Sequence, residues 1–324
     1  MKTTLLFALA LLVALVNCQR PNETTPKNTG NPPPGTRPQD KNAGVVKKGS
    51  DGGRISKQTF FSGSFSSNFP WTVSISVVKS LFPPASPPTV PIPSFPRYCG
   101  GSLIDWNWIL SSGSCTGIGN LSVLFGSQDR SNPLALNTLS MGIPESNVFV
   151  HPNFNPQTLE NDISLIKLPY SAPLPTLLNP NNLINSVLLP TRSDLLNQFL
   201  GQTGFLSGFG LNNFNLSNIL GWTPQQFIPN VDCAKYFASG ATNSFPIRLS
   251  NLCLVNNLTN SIAGLCNVES GSPLVVQNPI TKIFSLQGIA SFPPWNCLKN
   301  SPFAFTRVAN YTNWISRLTG LLIP

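Results

Sequence analysis

Apolar residues in this chain recur in short clusters rather than in long helical stripes. Trp71–Val78, Asn120–Phe125, Phe284–Phe292 and Ala304–Val308 are each rich in β-branched or aromatic residues. Most are bounded by Gly, Pro, Asn or Ser, the residues that end strands and make turns. Many short strands at close spacing predict an all-β sandwich or barrel, with structure beginning near Phe60. One stretch departs from this pattern. Val308, Tyr311, Ile315 and Leu318 fall at helical spacing, which predicts a short C-terminal helix with these four side chains packed on the β body. Residues 82–96 read FPPASPPTVPIPSFP and predict an extended, solvent-exposed connection.

The first 57 residues follow a different logic. Lys2, the apolar run Leu5–Val16 and Cys18 have the layout of a signal peptide over 1–18. The run is shorter than the ~20 residues a membrane-spanning helix needs, and no later stretch qualifies. Residues 19–57 are rich in Pro, Asn, Gly and Lys and poor in large apolar groups. They cannot bury enough surface to offset ordering, so they predict a disordered basic segment. The folded domain is then 58–324.

Charge reinforces this division. The net charge of the chain is +9; residues 1–57 hold nine Lys or Arg against three Asp or Glu, and 58–324 hold eleven against eight. The basic excess therefore lies mainly in the linker, scattered among Pro and Asn, as in a solvated arm. No feature indicates base readout of nucleic acid. A secretory leader also changes the meaning of the cysteines: of 7, Cys18 falls at the leader's end and six remain, an even set for an oxidising compartment. Their pairing is open from sequence alone. Asn22, Asn120, Asn215, Asn257 and Asn310 each open a glycosylation sequon. With one His in the chain and the cysteines read as disulfides, neither a metal site nor a cofactor is expected.

Seven separated strings carry a resemblance. They are FPWTVSI (69–75), CGGSLIDWNWILSSGSC (99–115), HPNFNPQTLENDISLIKL (151–168), SGFG (207–210), GLCNVESGSPLV (264–275), LQGIASF (286–292) and SPFAFTRVANYTNWI (301–315). In this order they resemble the trypsin and chymotrypsin family of serine proteases over roughly residues 60–320. The resemblance implies two packed six-stranded antiparallel β-barrels, a cleft between them and a C-terminal helix. It also implies the pairings Cys99–Cys115, Cys233–Cys253 and Cys266–Cys297.

Chemistry of that type needs a hydroxyl nucleophile, an imidazole to take its proton, a carboxylate to orient the imidazole, and backbone N–H groups for the oxyanion. By resemblance Ser270 stands at the nucleophile position and Asp162 at the carboxylate position. Ser114 stands where the family has the histidine, and a serine hydroxyl cannot serve as the base near neutral pH. His151 falls at a non-catalytic loop position, and the matched positions offer no lysine. Val268 replaces the glycine whose N–H helps bind the oxyanion. Glu269 replaces the Asp that pairs with the new amino terminus after activation cleavage, and Arg54-Ile55 lies three residues early for that cleavage. The specificity-pocket positions are Gly264, Pro293 and Phe303, and a Phe there fills the pocket from within.

These changes coincide on one surface while the barrel-forming strings remain. The sequence therefore predicts a secreted, non-catalytic protease homologue that binds or regulates a protein partner, either an active protease or its substrate. In this reading Asp162 keeps hydrogen bonds in the seam, including one with Ser291, and Ser270 is a turn residue. The alternatives are an active endopeptidase with an unusual base or narrow substrate, and a bulk component of matrix, mucus or venom.

Overall fold

The computed structural model describes residues 69–78, 97–117, 119–135, 137–173, 183–212, 215–238, 246–255, 268–292 and 301–323. The leader, the basic segment, the Pro-rich insert and the Arg54-Ile55 site lie outside these residues, as do Asn22, Asn257, Gly264, Cys266, Pro293 and Cys297.

The N-terminal half builds one antiparallel sheet from β1 (Thr72–Val77), β2 (Arg97–Asp105), β3 (Trp108–Ser111), β4 (Leu121–Phe125), β5 (Leu139–Ile143), β6 (Val148–Val150) and β7 (Ser164–Lys167). The spatial order is β5-β4-β1-β2-β3-β7-β6. Alternation sets which face goes inward: Leu121, Val123 and Phe125 of β4 are buried, whereas Ser122 and Leu124 are half-exposed. Register is held by a close approach. Gly101 of β2 pairs with Val73, and a Cβ at Gly101 would lie 2.8 Å from Ile75 and 2.9 Å from Ile109.

The C-terminal half closes into a barrel of six strands: β8 (Thr203–Asn212), β9 (Asn215–Ile228), β10 (Asn251–Val255), β11 (Pro273–Gln277), β12 (Phe284–Phe292) and β13 (Pro302–Arg307). Pairing of β10 with β9 completes the ring, so no edge is left open. Among the described residues three α-helices accompany the strands: α1 (Gly113–Thr116), α2 (Asn230–Ala238) and α3 (Thr312–Thr319). Disulfides Cys99–Cys115 and Cys233–Cys253 tie α1 to β2 and α2 to β10.

The expected all-β class with two barrel-like sheets and a C-terminal helix is observed. Two details differ. The first sheet has seven strands rather than six, because Val148–Val150 pairs with β7 before the chain turns at His151. The terminal helix begins as a 3-10 turn over Val308–Tyr311, and α3 starts only at Thr312. That tighter turn shifts the later face. Val308, Tyr311 and Ile315 are buried as expected, but Leu318 is 39% exposed.

An aromatic cluster joins the two sheets. Trp71 packs against Phe284 with ring centroids 5.6 Å apart, Phe69 against Trp222 at 5.8 Å, and Phe205 against Phe284 at 5.7 Å. Beside it, the buried Thr72 and Ser207 hydroxyls meet at 2.7 Å. This seam fixes the relation between α1, which ends β3, and the turn before β11. Those two segments carry the candidate site.

Candidate functional site

Ser270 sits in a turn held from both sheets. Its carbonyl accepts the Gly100 N–H at 2.9 Å, and the next residue's N–H is donated to the Ala290 carbonyl at 2.8 Å. Gly271 has φ +92°, and a side chain there would collide with the Gly100 carbonyl, so this position requires glycine. The turn thereby presents the Ser270 hydroxyl toward α1.

Asp162 approaches the same point from the other direction. It is fully buried and takes three donors: the Ser114 N–H at 2.6 Å, the Ser114 hydroxyl at 3.0 Å and the Ser291 hydroxyl at 2.5 Å. Its own carbonyl accepts the Thr306 hydroxyl at 3.0 Å. The hydrogen bond from Ser291 named in the sequence reading is therefore present.

Between carboxylate and hydroxyl stands Ser114. Its Oγ lies 3.2 Å from Ser270 Oγ while donating to Asp162. Ser112 adds a second neighbour, with its buried Oγ 2.9 Å from Ser270 Oγ. Further hydroxyls brace this strand end: Thr116 Oγ1 and Ser164 Oγ meet at 2.7 Å, and both reach the Ser112 carbonyl, at 3.0 and 3.1 Å. The site is thus a network of hydroxyls around one carboxylate.

The single imidazole is engaged elsewhere. His151 packs edgewise on Tyr311 and Trp314, with centroids 5.3 and 5.1 Å away, and its Nδ1 accepts the Asn153 N–H at 3.3 Å. Burial pushes its pKa below the ordinary 6.5. It borders a shallow cleft with Asn161, Ser250, Asn310 and Trp314.

The remaining described positions fall as follows. Val268 is buried, forms an antiparallel bridge with Gly210, and belongs to an apolar cluster with Phe199, Leu206, Leu254 and Ala290. Phe303 is 1% exposed in the same cluster, paired with Leu254 across β10 and β13, its ring 5.0 Å from Phe305. Asn120 and Asn310 are exposed sequon residues, and Asn215 opens β9. Among the described residues no group of three or more His, Cys, Asp or Glu could hold a metal ion, and no helix is long and apolar enough to cross a membrane.

Two residues were missed by the sequence reading. Ser112 lies in the quoted string SSGSC but drew no attention beside Ser114. Arg130 lies in the polar loop GSQDRSNPL after β4, where nothing marks it as buried. Its Nη1 nevertheless contacts Glu269 Oε1 at 2.5 Å, and the two side chains are only 3% and 8% exposed.

Comparison with known proteins gives this geometry its context. The family model described as trypsin matches residues 62–315. The chain belongs to the trypsin family. It is 30% identical over 227 residues to a collagenase of Hypoderma lineatum, covering 69% of this chain and 77% of that protein. Over 231 residues it is 29% identical to trypsin I-P1 of Gallus gallus, covering 71% and 83%. Serine protease 1 of Drosophila melanogaster is 28% identical over 229 residues, covering 69% and 76%. A solved structure of HL collagenase superposes with a TM-score of 0.61 at 27% identity, covering 83% of this chain and 100% of that one. Trypsin-family membership makes the meeting of Asp162, Ser114 and Ser270 the position to explain.

Proposed function

We propose that this chain is a secreted, non-catalytic member of the trypsin family that acts by binding protein partners, as a cofactor, decoy or modulator of active proteases. One observation carries the reading: the side chain between Asp162 and Ser270 is the Ser114 hydroxyl. A neutral hydroxyl can share a hydrogen bond with Ser270 but does not take up its proton near neutral pH, so no alkoxide forms. The Ser112 hydroxyl, also beside Ser270, has the same limitation.

Two further positions support it. Phe303 and Val268 belong to one buried apolar cluster; by resemblance they stand at a pocket wall and at the oxyanion glycine, and side chains at these positions favour a filled pocket and an altered oxyanion site. Disulfides Cys99–Cys115 and Cys233–Cys253, together with the leader-like first 18 residues, favour an oxidising extracellular compartment. The surface loops of the family fold then serve as contact surface rather than as a substrate channel.

A specific geometry favours one competing reading. Ser114 donates to Asp162 and touches Ser270, so a hydroxyl relay from Ser270 to Asp162 is geometrically continuous. A carboxylate already held by three hydrogen-bond donors is a weak base for such a relay.

The reading is tested by adding the purified chain to active trypsin-family proteases and following their hydrolysis of peptide and protein substrates. A saturable change in their rates, with no turnover by the chain itself, is expected. Turnover by the chain, abolished by Ser270→Ala, overturns the proposal in favour of the relay.

A further inference from the structure

The turn that carries Ser270 begins at a buried carboxylate whose partner comes from a distant loop. A buried charge left unpaired is strongly destabilising, so the identity of its counterion decides when the turn is stable. Glu269 faces Arg130, 139 residues away in sequence.

Arg130 is placed with care. Its backbone N–H is donated to the Asn218 carbonyl at 2.9 Å, and the neighbouring Leu220 N–H is donated to Gln128 at 2.8 Å, so the loop is stitched along β9. The guanidinium lies over the Tyr98 ring, 3.8 Å from its centroid, and 5.2 Å from that of Phe209. Its Nε donates to Asn218 Oδ1 at 3.1 Å. Stacking and this side-chain bond aim the remaining fork at Glu269, a task to which a planar guanidinium is suited. Asn218, Tyr98 and Phe209 come from β9, β2 and β8, so three strands fix the cation in place.

We propose that Arg130 is the standing counterion of Glu269 and sets the Ser270 turn in the uncleaved chain, in place of a new amino terminus released by proteolysis. One carboxylate and one guanidinium leave the buried site neutral. An added α-ammonium would make it net positive, and among the described residues no second carboxylate is paired there to offset the cost. Among the described residues Glu269 Oε2 and Arg130 Nη2 have no hydrogen-bond partner. This inference does not depend on whether Ser270 reacts.

The test is hydrogen exchange of the turn peptide in the full chain at pH 8, read by mass spectrometry for the parent and for Arg54→Gln, Arg130→Met, Glu269→Gln and the double Arg130→Met/Glu269→Gln variant. The parent and Arg54→Gln are expected to exchange alike, before and after protease treatment. Arg130→Met is expected to speed exchange about tenfold or more; Glu269→Gln, which removes the charge that needs a counterion, is expected to exchange no faster than the parent, and the double variant to recover much of the Arg130→Met loss, since it leaves no lone carboxylate. If Arg130→Met does not fold, the same coupling is read from folding itself: a double variant that folds supports the pair. A double variant no better than Arg130→Met overturns the proposal. So does unchanged exchange in Arg130→Met, or a parent turn that becomes about tenfold more protected only after cleavage following Arg54.

Discussion

Ser114 Oγ and Ser270 Oγ lie 3.2 Å apart, hydroxyl facing hydroxyl, with Ser114 at the same time bound to Asp162. Ser112 Oγ also reaches Ser270 Oγ, at 2.9 Å. The contacts are short and well formed, so Ser270 is well hydrogen-bonded. In the proposed account these contacts serve structure.

Restoring the imidazole alone is expected to fail. Ser114→His places a base beside Ser270 and Asp162, yet Phe303 and Val268 still fill the adjacent apolar cluster. Hydrolysis of a peptide panel by Ser114→His is expected to equal that of the parent. Clear turnover by this single variant would mean that the pocket and oxyanion positions matter less than argued.

Asp162 is expected to matter for stability. Its carboxylate accepts three donors while fully buried, and an amide offers only one acceptor oxygen and turns its NH2 toward groups that also donate. Asp162→Asn should cost about 2–4 kcal/mol in urea denaturation. A loss below about 0.5 kcal/mol would remove the structural reason given for this residue.

Phe303 is expected to hold a space that an aromatic guest can occupy. Phe303→Gly should destabilise the chain by about 3–5 kcal/mol and leave an apolar cavity among Leu254, Ala290 and Phe305. Indole or benzene should raise the melting temperature of the variant and not of the parent. Equal shifts in both proteins would show that Phe303 fills no such space.

Stability should also vary with pH through Glu269. Burial raises this carboxyl from an ordinary 4.5 to about 7, against the pull of Arg130. The unfolded chain therefore gives up this proton at lower pH than the folded chain does. The group's contribution is fully present below about 4.5 and is lost as pH rises through about 7, a change on the order of 3 kcal/mol. Glu269→Gln should flatten that slope in denaturation curves taken from pH 4.5 to 8. An unaltered slope in the variant would assign the pH dependence to other groups.

The parts of this molecule that were legible in its sequence are those governed by local pattern. β4 and β12 follow from β-branched and aromatic clusters bounded by turn residues, and their bounds differ little from those expected. The positions of Asp162, Ser114 and Ser270 followed from strings matched in order, and the structure brings the three together. Long-range pairing was harder to see. Helix α2 gives little periodic signal beyond Cys233 and Phe237 and was not expected. Val148–Val150 is too short to stand out until β7 is beside it. Arg130 sits in a loop that looks solvated, and only its pairing with β9 turns it inward onto Glu269. Ser112 is one serine among several, and its contact with Ser270 depends on a separation of 158 residues.

Covalent labelling reads the central claim most directly. A fluorophosphonate probe reacts with a serine only when its hydroxyl is activated, so the purified chain should be exposed to it alongside active trypsin, with peptide mapping of Ser270. The account predicts complete labelling of trypsin and none at Ser270. Labelling at Ser270 that is stoichiometric and absent from Ser270→Ala would contradict it.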